Sequence, residues 1–126
     1  MEREIIVGDQ KIKMRASALT PRLYRFRFGR DIIRDINQLK KAFDRANNLP
    51  EDATDEERQD AQMSELELTI FENVAYIMSK HADNNQPDNP DDWLEQFDMF
   101  SIYLVLPQIL ELWNLGTATT SVPKKK

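Results

Sequence analysis

The sequence predicts an α+β protein, mainly α, in which an N-terminal β-hairpin precedes about four to five helices. Three observations carry that expectation. Apolar and charged residues alternate near the start, where Ile12 and Met14 interleave with Lys11, Lys13 and Arg15. From Leu19 onward apolar residues recur at helical spacing instead. Polar segments rich in Asn, Asp and Pro then divide the helical stretches.

The elements follow in order. "EREIIV" and "KIKMR" flank "GDQ", a short connection containing Gly8. A lone hairpin is marginal in water, so this one must pack on the helices or join another chain's sheet. Thr20-Pro21 opens a helix, with a hydroxyl cap and then a proline whose missing N–H costs nothing. In it Leu19, Leu23 and Phe26 form one row and Tyr24 and Phe28 another. Tyr24, Phe26 and Phe28 also alternate with Arg25 and Arg27 as a strand would. The Thr-Pro start and the Leu23-Tyr24 adjacency favour helix, and Leu23, Phe26 and Phe28 then read as core. Gly29 permits a turn. Asp31 caps a second helix carrying Ile32, Ile36, Leu39 and Phe43 at helical spacing.

After "NNLPEDATDEE" a cap at Thr54 or Asp55 opens the longest helix, roughly Glu56 to His81. Its apolar stripe is Met63, Leu66, Ile70, Val74, Ile77 and Met78. Asp91 or Asp92 opens a helix with Trp93, Leu94 and Phe97. "FSIYLVLPQILELWN" supplies the last helical block, which Pro107 either starts or kinks. Residues 1–115 read as a single helical domain with its hairpin, and 116–126 as a disordered basic tail.

Composition bounds the function. At 126 residues without cysteine the chain excludes disulfides and thiolate metal sites. "MEREIIVGDQ" lacks the apolar core of a signal peptide, and the run Ile102 to Leu106 is too short to span a bilayer. A soluble cytoplasmic protein with no membrane partner is expected. The net charge of −5 hides an asymmetry. Residues 1–45 carry twelve Lys/Arg against six Asp/Glu, whereas 46–115 carry two against sixteen. Such poles serve as interaction surfaces or pair with each other in the fold.

No enzyme, cofactor or metal site is expected. The only histidine, His81, sits at a helix end, where compensating the helix dipole is the simpler role. An EF-hand counted from Asp83 would need Gly and Glu where Asp88 and Leu94 stand. Thr20–Asp35 holds five arginines and three aromatics, a combination suited to phosphate contact and base stacking. The sequence pI near 4.9 argues against nucleic acid. An interaction protein remains. Its partner-binding candidates are Arg22, Tyr24, Arg25, Phe28 and Arg30 in the basic segment, with Trp93, Phe97, Tyr103 and Trp113 toward the C-terminus. Most of the aromatics read as core, with one or two left as anchors.

From Ile5 to Trp113 the chain resembles the tail assembly chaperones of long-tailed phages and prophages of Gram-positive bacteria. The resemblance is carried by "ASALTP", by Phe28-Gly29-Arg30-Asp31 within "LTPRLYRFRFGRDIIRDINQL", and by the landmarks of "WLEQFDMFSIYLVLPQILELW". Segments 47–57 and 82–92 match least. The resemblance implies a non-enzymatic helper that binds and solubilises the tape-measure protein and assists tail-tube assembly. It implies action in the host bacterial cytoplasm and absence from the mature virion. It also implies a form extended by a minus-one frameshift that recruits the tube protein. Self-association would use the basic and acidic regions as complementary surfaces. Lys124, Lys125 and Lys126 then fit either an adenine-rich slippery heptamer or a plain solubilising tail. The alternative is a small nucleic-acid-binding regulator using Arg22–Arg34. Sequencing the coding DNA across Lys124–Lys126 is expected to show a slippery heptamer with an overlapping minus-one frame; an ordinary lysine run without that frame would count against the extended form.

Overall fold

The computed structural model describes residues 1–99 and 101–121, with side chains as far as Asn114. Strands β1 (Glu2–Val7) and β2 (Gln10–Arg15) pair antiparallel through a turn at Gly8-Asp9, with Ile5 opposite Ile12. That register puts Ile5, Val7, Ile12 and Met14 on one face, and all four are buried. The other face sets Glu2 opposite Arg15 and Glu4 opposite Lys13, and the first pair closes to 2.6 Å. The hairpin lies on its own helices, with β2 packed along α4.

Among the described residues six α-helices follow: α1 (Thr20–Phe28), α2 (Ile32–Asn47), α3 (Asp55–Asp60), α4 (Glu65–Ala82), α5 (Pro90–Leu94) and α6 (Leu106–Ser121). A 3-10 turn, Ser101–Val105, leads into α6. The core joins Tyr24, Ile36 and Leu39 to Phe71, Val74 and Met78 of α4, with Trp93 and Ile109 closing it. Trp93 is fully buried, and its indole N–H donates to Ser79 Oγ at 3.1 Å. That bond satisfies the one polar atom its burial would orphan.

Four boundaries differ from the sequence expectation. Thr20 is the first helical residue rather than the cap. Its buried hydroxyl accepts from Ser17 N–H at 2.9 Å and lies 3.3 Å from His81 Nδ1, while Leu19 at the cap offers no side-chain bond. The expected single helix from Glu56 to His81 is two. Ser64 and Glu67 form a capping box, which starts α4 afresh after Ala61 ends α3. Asn89, with Pro90 behind it, caps α5 in place of Asp91 or Asp92. α6 passes residue 115 and continues to Ser121. A helix nucleated on buried Ile109, Leu112 and Trp113 needs little to propagate, and the next proline is Pro123. Lys124, Lys125 and Lys126 lie outside the described residues. Elsewhere Asp31 and Thr54 cap α2 and α3, and Pro107 starts a helix rather than kinking one.

Glu67 ties α2 to α4. Its carboxylate accepts from Arg45 at 2.9 Å, from the Ser64 N–H at 2.9 Å and from Gln38 Nε2 at 2.5 Å. Burial pushes this carboxyl up, but those bonds outweigh it and hold it down at about 2, against the usual 4.5. A depressed carboxyl stabilises the fold fully above its unfolded value and loses that contribution as pH falls through the folded one. We therefore expect Glu67→Gln to cost about 2 kcal/mol at neutral pH. Urea unfolding from pH 7 down to pH 2 should show the gap between wild type and variant closing below about pH 4.5. A gap independent of pH would refute this account of the Glu67 bonds.

Candidate functional site

Helix α1 carries apolar residues on two sides, and the site follows from that. The inner row is Thr20, Tyr24 and Phe28. Thr20 and Tyr24 are fully buried, and Phe28 packs half-buried with its ring centroid 5.1 Å from that of Tyr24. The outer row is Leu19, Leu23 and Phe26. Leu23 is half-buried, whereas Leu19 is 46% and Phe26 71% exposed. One helix cannot bury both rows against one neighbour: the inner row enters the core, with Tyr24 bonded to Asp35 of α2, and the outer row faces the end of α4.

The corner after α1 holds this orientation. Gly29 sits at φ +67, and its N–H closes the helix onto Arg25 O at 2.8 Å. Buried Asp35 then receives Tyr24 OH at 2.7 Å and the Arg30 guanidinium at 2.8 and 2.9 Å. Burial disfavours the Asp35 charge, yet the Arg30 and Tyr24 bonds leave the carboxyl below its ordinary value. Burial, together with the bond to Asp35, raises the Tyr24 phenol far above its own. Asp31 accepts from Ile33 N–H at 2.9 Å and opens α2.

Between the outer row and the last turns of α4 lies a mostly apolar cleft of about 610 Å³. Leu19, Leu23 and Phe26 form one side, and Tyr76, Ile77 and His81 the other. Segment 84–88 makes its end wall and is pinned in place. Lys80 Nζ donates to Asn84 O, Gln86 O and Asp88 Oδ1 at 2.9, 2.7 and 3.0 Å. Tyr76 OH donates to Pro87 O at 2.8 Å, and Arg27 to Asp88 O at 2.5 Å, its guanidinium 5.7 Å above the Tyr76 ring. Burial, with Arg15 nearby, lowers the His81 imidazole and favours its neutral form. Over the rim, Arg22 stacks 5.0 Å above the Phe26 ring, and Arg25 is exposed. Helix α1 contains no acidic residue.

The partner-binding candidates thus separate. Arg22 stands on the surface over Phe26 at the cleft, and Arg25 is exposed on another face of α1. Tyr24 and Trp93 are fully buried, and Trp113 is 8% exposed. Their large apolar surfaces are consumed by the core, which removes them from any contact surface. Phe28, Phe97 and Tyr103 are half-buried against that core, and Tyr103 OH donates to Glu72 at 2.7 Å. Arg30 is committed to Asp35. Phe26, assigned to the core by periodicity, is the exposed one, and His81 lines the cleft rather than only ending a helix. Among the described residues no group of three or more His, Asp or Glu side chains is placed to hold a metal ion, and no helix is long and apolar enough to cross a membrane. No family model matches the chain, and no significant match to a curated protein or a solved structure was found.

This division predicts opposite behaviour for neighbouring residues. Phe26→Ser, Arg22→Ala and Arg25→Ala should each change unfolding free energy by less than about 0.5 kcal/mol. Tyr24→Phe should cost about 1 kcal/mol and Arg30→Ala about 1–3 kcal/mol, because each strips a partner from buried Asp35. Denaturant titrations of the five variants check the assignment, and a large loss for Phe26→Ser would contradict it.

Proposed function

We propose that this protein is a tail assembly chaperone of the long-tailed phage kind: a non-enzymatic domain that binds and solubilises a tape-measure protein and assists tail-tube assembly. The observation that carries this reading is apolar surface left uncovered on a well-packed domain. Ile6, Leu19, Phe26, Ile33, Leu66, Met99 and Leu104 are between 46% and 77% exposed. Scattered apolar residues are ordinary on a surface, but here two of them border a concave site built for contact. A long helical client with apolar stretches needs such a surface to stay soluble.

The resemblance at Phe28-Gly29-Arg30-Asp31 supports the same reading and acquires a physical sense. Those residues are a packed ring, a left-handed helix end, the cation of a buried pair and a helix cap. In this proposal the work is done in the host cytoplasm, the chain is absent from the finished particle, and a frameshift at Lys124–Lys126 supplies the extended form.

A nucleic-acid regulator has one observation in its favour: Arg22, Arg25 and Arg34 are exposed, as is the Phe26 ring. Two other arginines of that segment are engaged within the fold, Arg27 on Asp88 O and Arg30 on Asp35. Salt-sensitive DNA binding would favour the regulator.

Co-expression tests the chaperone. The longest helical reading frame encoded beside this chain should move from the insoluble to the soluble fraction by several-fold when the chain is present. It should also co-purify with the chain. A client equally insoluble with and without it would overturn the proposal.

A further inference from the structure

We propose that the α1–α4 cleft is the seat of the client helix, and that it selects an amphipathic helix whose apolar stripe is flanked by acidic residues. This rests on the chaperone reading for the client's identity, while the site itself rests on the geometry of the cleft. The outer row Leu19, Leu23 and Phe26 is spaced i, i+4, i+7, the spacing of a helix face made to meet another helix. Phe26 stands 71% exposed, with the Arg22 guanidinium over its ring. The end wall is fixed by six hydrogen bonds from Lys80, Tyr76, Arg27 and Gln86, among them Gln86 Nε2 to Asp83 at 3.2 Å. The seat is therefore largely formed before a helix arrives, which lowers the ordering cost of binding.

Charge chooses the occupant. The chain is acidic overall, yet Arg27 and Lys80 line the cleft and Arg22 flanks it over Phe26, while the carboxylate in its lining, Asp88, is paired with Lys80. Arg22 is held over Phe26, so an incoming carboxylate meets a guanidinium at the point where its apolar neighbour meets the ring. The hydrogen bonds of Arg27 and Lys80 go to the wall, although Arg27 itself is exposed. A helix with lysine flanks would bring like charge against this rim.

The probe is a designed helical peptide of about eighteen residues, or five turns. It carries Leu and Phe at i, i+3, i+4 and i+7, with Glu on both flanks. The controls are the same peptide with Lys flanks and one with Ser in place of the apolar stripe. The Glu-flanked peptide should bind the full chain, with NMR shifts at Leu19, Phe26, Ile77 and His81. The Lys-flanked peptide and the Ser-stripe peptide should each bind roughly tenfold more weakly or not at all. Phe26→Ser should weaken the Glu-flanked peptide by roughly tenfold, and Arg22→Glu/Arg27→Glu should reverse the preference between Glu and Lys flanks. Equal binding of the two flanked peptides, or shifts that map elsewhere, would overturn the site. The co-expression result separates the two ideas. A client rescued equally well by Phe26→Ser and wild type leaves a chaperone without this seat. Peptide binding without client rescue leaves the seat without the chaperone.

Discussion

A carboxylate taken out of water must be met by donors that come to it, and Asp35 imposes that demand on three separate pieces of chain. Tyr24 reaches it from α1, Arg30 from the turn, and Asp35 itself rides on α2. Oδ2 accepts from both Tyr24 and Arg30 and Oδ1 from Arg30, so α1 cannot roll about its axis without giving up the Tyr24 bond. The rotation of α1 decides which apolar row lies inward. With Tyr24 anchored, Leu19 and Phe26 are left exposed and Leu23 half-buried at the edge of the core. The cleft is thus a by-product of satisfying one buried charge.

Glu67 imposes a second demand at the other end of the helical layer. It serves at once as the N3 residue of the α4 capping box and as the counter-ion of Arg45. Burying a carboxylate in an N-terminal turn is tolerable because the helix dipole, the Ser64 N–H and the guanidinium all favour its charge. The two buried acids fix α2 against α1 at one point and against α4 at another. Arg45–Glu67 and Arg3–Glu111 join the basic pole to the acidic one, whereas Arg30–Asp35 closes within the basic pole.

Alternation and spacing made the hairpin, the Asp31 and Thr54 caps and most helix locations legible in the sequence, since each depends on a few neighbouring residues. The two rows of α1 were legible as rows, but periodicity carries no information about which row faces in. Tyr24 went inward because its hydroxyl had Asp35 to meet, a contact eleven residues away that no local pattern displays. The break before α4 had a visible signal, Ser64-x-x-Glu67, but it was masked by an apolar stripe running through Met63 and Leu66. The cleft wall was beyond reach, because Lys80, Tyr76 and Arg27 hold carbonyl groups of a loop whose path the sequence does not state.

In helix α3 local and long-range terms come apart. It has a complete capping box, yet it buries none of its side chains, and Arg58 ties it only to carbonyls of its own loop. Such a segment opens independently of the core and exchanges its amide protons long before α2 or α4 does. Arg45 bridges the two ends of that excursion by bonding the carbonyls of Ala61 and Gln62 as well as Glu67. A protease cutting between Glu51 and Asp60 would therefore sever the backbone without parting the molecule, and the two halves would remain together as complementary fragments.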